Sequence, residues 1–83
     1  MLIRNHIFNK FLSRYKRLKF VAQPVDGGVD YLAYNYQNRC VLSYTGRKSS
    51  ILLLNHLYTV NSDDKTWLDK KLKELCTQEI VSV

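Results

Sequence analysis

Apolar residues fall at Ile3, Ile7, Phe8, Phe11, Leu12, Tyr15 and Leu18, three and four positions apart. That spacing lines one face of an α-helix and predicts a first helix over residues 3–21. Pro24, then Asp26, Gly27 and Gly28, end it and supply a tight reversal. Beyond the glycines the period changes to two. Residues 29–36 and 39–45, rich in Tyr, Val and Leu, read as strands joined by Gln37 and Asn38. The expected register sets Tyr36 opposite Arg39, Tyr34 opposite Val41, Leu32 opposite Ser43 and Tyr31 opposite Tyr44. Alternation then gives a core face of Val29, Tyr31, Ala33, Cys40, Leu42 and Tyr44. The second face carries Asp30, Leu32, Tyr34, Tyr36, Arg39, Val41, Ser43 and Thr45.

A turn at Gly46-Arg47-Lys48-Ser49 leads into a third strand over residues 50–60, whose centre, Ile51-Leu52-Leu53-Leu54, is apolar on both sides. Asn61 and Ser62 then offer N-cap oxygens, and Asp63 and Asp64 suit the positive end of a helix dipole. Trp67, Leu68, Leu72, Leu75 and Cys76 form the buried stripe of a second helix. Asp69 with Lys73 and Lys70 with Glu74 sit at i,i+4 on its exposed side. The tail, Ile80-Val81-Ser82-Val83, is apolar enough to dock. The order α-β-β-β-α predicts an α+β fold: a three-stranded antiparallel sheet with two helices packed on one face.

Eighty-three residues, 46% hydrophobic and 24% charged, make one folded domain over residues 1–83, with no expected pocket for a large cofactor. The net charge of +6 is unevenly spread. Arg4, Lys10, Arg14, Lys16, Arg17 and Lys19 occur without a single acid before Asp26, whereas the second helix region is slightly acidic. Such polarity attracts a nucleic acid, an anionic membrane or an acidic protein face. The first helix would use its stripe to cover the sheet, which argues against membrane attachment. No apolar run approaches the length of a membrane span, and no continuous apolar leader is visible, so a cytoplasmic protein with two reduced cysteines, Cys40 and Cys76, is expected.

Catalytic chemistry finds little footing. His6 and His56 are fifty residues apart in no metal-ligand spacing, and Asp63 and Asp64 are accounted for by capping. Neither Asp26-Gly27-Gly28 nor Gly46-Arg47-Lys48-Ser49 completes a nucleotide fingerprint. The residues point to a non-catalytic protein with no metal and no cofactor. RNA, single- or double-stranded, would meet Lys10, Arg14, Arg17, Arg47 and Lys48 through its phosphates. Tyr34, Tyr36 and Arg39 would form a stacking surface. The alternative is a protein-only inhibitor whose basic helix covers an acidic patch on a host enzyme.

The α-β-β-β-α order resembles the double-stranded RNA-binding domain, a family that holds phosphates with lysines at the start of its second helix. The corresponding stretch here, Asn61-Ser62-Asp63-Asp64-Lys65, is acidic. The short chain, rich in Tyr, Asn and Lys, is also similar to small accessory proteins that T-even-like phages make against host defences, some of them antitoxin-like inhibitors of host ribonucleases. That resemblance implies a regulatory or inhibitory role in the host cytoplasm.

Overall fold

A computed structural model describes residues 1–15 and 17–81, the side chains of 77–81 excepted. Lys16 and the end of the expected docking tail therefore lie outside the described residues. The element order is α1 (Asn5–Arg14), β1 (Lys19–Val25), β2 (Gly28–Tyr34), β3 (Cys40–Thr45), a single 3-10 turn (Gly46–Lys48), β4 (Ser50–Leu53), β5 (His56–Thr59) and α2 (Ser62–Val81). The fold is α+β, with one antiparallel sheet in the order β1-β2-β3-β4-β5. Five strands thus replace the expected three.

The two extra strands arise at different places. The first helix stops at Arg14, and Lys19–Val25 leaves it to pair with β2 along its full length, from Lys19 opposite Tyr34 to Val25 opposite Gly28. Asp26 and Gly27 close that hairpin, and Gly27 takes the positive φ of 84° that its missing side chain permits. Pro24 is tolerated because β1 is an edge strand. The expected third strand is instead a second hairpin, β4 and β5, which reverses at Leu54 and Asn55. Leu54 turns at φ 56°, unusual for a bulky residue, while its N–H bonds the Val41 carbonyl at 2.8 Å.

The β2–β3 pairing matches the expected register at Tyr31–Tyr44 and Leu32–Ser43, and then departs from it. Tyr34 faces Cys40, so Val41 is an extra residue in a bulge between the two pairs. Tyr36 and Arg39 consequently belong to a longer loop, not to strand ends. The bulge carries Cys40 away from the core to an exposed position, while Val41 is buried. Val29, also assigned to the core, is exposed at the end of β2.

Phe20, Ala33, Leu42 and Leu53 form one cross-strand row, and Tyr31, Tyr44, Ile51 and Tyr58 the next, on the same sheet face. Ile3 and the helix residues Phe8, Phe11, Leu68 and Leu72 join them in a single core. The helices meet where Phe8 and Trp67 pack edge-on, ring centroids 5.8 Å apart. The opposite face carries Val21, Leu32, Ser43, Leu52 and Leu57 in one row, with Leu52 and Leu57 exposed. The N-terminal segment runs along β5: Ile3 N–H bonds the Thr59 carbonyl at 3.0 Å, and Thr59 N–H bonds the Met1 carbonyl at 2.8 Å. Among the described residues no helix is long and apolar enough to cross a membrane.

Candidate nucleic-acid interface

His6, Lys10 and Arg14 recur at four-residue steps along one flank of α1. They line a groove of about 390 Å³ whose opposite wall is the β4–β5 hairpin, with Leu54, His56 and Tyr58. The two histidines, remote in sequence, thus come to one groove, a convergence no local spacing announced. Among the described residues no group of three or more His, Cys, Asp or Glu side chains could hold a metal.

A second groove, of about 470 Å³, adjoins the first by sharing Arg14 and Tyr15, and adds Arg17, Asn35, Tyr36 and Gln37. Its far wall is the β2–β3 loop, and Asn35 shapes that loop. The Asn35 Oδ1 accepts the Gln37 N–H at 2.9 Å and the Arg39 N–H at 3.0 Å, while its backbone bonds Arg39 and Asn38. Asn38 adopts φ 62°, which an Asn side chain tolerates. The loop so held leaves Tyr36 77% exposed beside Arg14 and Arg17. An exposed aromatic ring in one groove with two arginines can stack a base while the arginines hold its phosphates. Asn35 was not among the residues singled out from sequence; the signal was an Asx turn hidden in what read as strand.

The other expected contacts are dispersed. Arg39 is exposed in the same loop, whereas Tyr34 is half-buried and, by register, lies on the face away from the helices. Arg47 and Lys48 are exposed on the 3-10 turn at the opposite end of the sheet. The Arg47 Nη1 donates to the Asp26 carbonyl at 2.8 Å, beside the β1–β2 turn. Gly28 to Tyr34 is a seven-residue strand; at ~3.3 Å per residue this separates the Arg47 end from the Tyr36 end by roughly 20 Å.

At the Arg47 end a cleft of about 680 Å³ opens between the β1–β2 turn, the 3-10 turn and α2. Tyr44 lies beneath it, fully buried, and Lys65 Nζ donates to its hydroxyl at 3.5 Å and to Asp69 Oδ2 at 3.4 Å. Burial, with the Asp69 carboxylate adding to it, raises the Tyr44 hydroxyl well above the usual tyrosine range, so it stays protonated at neutral pH. Asn61 begins α2: its Oδ1 accepts the Asp64 N–H at 2.8 Å. Asp64 is buried and takes the Trp67 indole N–H at 3.2 Å. Comparison with models of known protein families, with curated proteins and with solved structures finds no match.

Proposed function

We propose that the protein is a small, non-catalytic regulatory or inhibitory protein that binds RNA at the end of the sheet where α1 meets the β2–β3 loop. The observation that carries this reading is that the exposed Tyr36 lines one groove with Arg14 and Arg17, continuous with the Lys10 groove. Lys10, Arg14 and Arg17 contact phosphates, Tyr36 stacks a base, and Arg39 borders the same loop. Arg47 and Lys48, at the far end, are reached only by an RNA long enough to follow the sheet. The absence of acids before Asp26 supports the reading electrostatically, because no side chain of α1 offsets its cations.

The test is the salt dependence of affinity for a short single-stranded RNA. Each phosphate contact contributes a logarithmic slope of about −0.7, so losing Lys10, Arg14 and Arg17 together to Ala flattens the slope by about 2. Tyr36→Ala weakens binding by about 1–3 kcal/mol while leaving the slope unchanged. No RNA binding at low salt, or binding indifferent to all four substitutions, overturns the proposal. If the three charge removals then weaken an acidic protein partner instead, the protein-only inhibitor takes its place.

A further inference from the structure

We infer that the cleft at the Arg47 end is a separate binding site for an oligophosphate, either an inorganic chain or the phosphate end of a nucleotide. This goes beyond the RNA reading, since it uses the opposite end of the sheet. The chain has three glycines, Gly27, Gly28 and Gly46, and all three line this one cleft. The missing side chains leave room at Gly46 for the Lys65 ammonium and at Gly27 for the Arg47 stem, while Gly28 leaves its backbone open to a ligand. About 680 Å³ lies within the range of small-ligand sites.

The charges round the cleft match an oligophosphate. Arg47, Lys65, Lys70 and Lys73 line it against one carboxylate, Asp69. Two of the cations are held in place before any ligand arrives. Arg47 is anchored to the Asp26 carbonyl, a neutral acceptor that leaves the guanidinium charge uncompensated and donors to spare. Lys65 is fixed by Asp69 and by Tyr44, whose ring centroid lies 5.7 Å from its ammonium. Gly46 admits this ammonium: a Cβ there would sit 2.9 Å from Lys65 Nζ. Tyr31 forms part of the wall, stacked on Tyr44 at 6.3 Å, and offers an aromatic contact for a base.

Because all three glycines border the cleft, their backbone amide signals in a ¹H–¹⁵N spectrum report on it selectively. Titrating the protein with inorganic tripolyphosphate and, separately, with ATP should shift all three along one saturating curve. Equal affinity for the two assigns the site to the phosphate chain; tighter binding of ATP assigns it to a nucleotide. The double variant Arg47→Ala with Lys70→Ala should weaken the midpoint by about tenfold or more. Gly46→Ala, which pushes only the tip of Lys65 aside, should weaken it in a chain that remains folded. Lys10→Ala with Arg14→Ala should leave the midpoint where it was. Absence of a saturating shift overturns the inference, as does equal weakening by the Lys10 and Arg14 changes, which would mark general attraction to a basic protein. Glycine shifts produced by RNA and by neither small polyanion would also overturn it. A protein that fails to bind RNA can still pass this test, so the two readings fail separately.

Discussion

The two helices cover the same sheet face and are built on opposite plans. Helix α1 has ten residues, no side-chain cap at Arg4 and no acid in its first turn. Helix α2 has twenty, is capped by Asn61, begins with Asp63 and Asp64 and carries the Lys65–Asp69 pair. A helix as short as α1 is marginal by itself, so docking through Phe8 and Phe11 holds it. Helix α2 draws on local interactions as well. The difference separates two charge patterns: α2 mixes acids and bases along its length and turns Lys65, Lys70 and Lys73 to the cleft at the Arg47 end, whereas α1 carries cations and no acid.

That contrast breaks most visibly at Phe8, which is fully buried. Phe8→Ala should cost about 3–5 kcal/mol in chemical denaturation, with α1 losing its place before α2. Hydrogen exchange resolves the order, and equal loss of protection in both helices would show that α1 is no weaker than α2.

The legible and illegible parts of the molecule divide along the same line. Asn61, Trp67, Leu68 and Leu72 announced α2 because cap and stripe are local signals. The end of α1 did not announce itself, since Leu18 and Val21 prolong the spacing of Phe11 and Tyr15 although Phe20 belongs to a strand. Asp26-Gly27 is the available hairpin signal, but the helical spacing before it makes it a reversal between a helix and a strand and not between two strands. The β4–β5 reversal had no such sign: Leu54 is a poor candidate for a positive φ, and only pairing across the sheet puts it there. Basic residues were visible as charge, but β1 had to turn the chain back before Arg14, Arg17 and Tyr36 could meet. The same pairing sent Arg47 to the other end.

A second prediction concerns alkaline pH, where the α2 side has a liability that α1 lacks. Tyr44 and Tyr31 titrate above their ordinary range in the folded protein, chiefly through burial and then through Asp69. Above about pH 10 the unfolded chain releases these protons while the folded one keeps them, so stability is intact below that pH and falls above it. The limiting slope is about 1.4 kcal/mol per pH unit for each proton so held. Tyr44→Phe should make the decline in thermal midpoint above pH 10 shallower, and an unchanged decline would acquit Tyr44.

Smaller effects sharpen the comparison at the helix starts. Asn61→Ala should destabilise by about 1 kcal/mol, while Arg4→Ser, adding a cap where none exists, should stabilise by about 0.5–1 kcal/mol. Equal and small responses at both positions would mean that docking alone sets both helices. The smallest effect is expected outside the helices altogether. Leu57 is 66% exposed on the uncovered face, and Leu57→Ser should change stability by no more than about 0.5 kcal/mol. A larger loss that grows with protein concentration would reveal self-association through that face.

The strap formed by Met1 to Ile3 along β5 has a kinetic consequence. Every strand of the sheet pairs with its neighbour in sequence, so four hairpins can zip in succession, each closing a short loop. Besides α2, which reaches back across the sheet to β1, the strap must find a strand distant in sequence, and it can do so only after that strand exists. The sheet should therefore form quickly, and the strap should be the last piece to lock and the first to come away. A probe at residue 2 would report a slower and more fragile step than a probe at Tyr44.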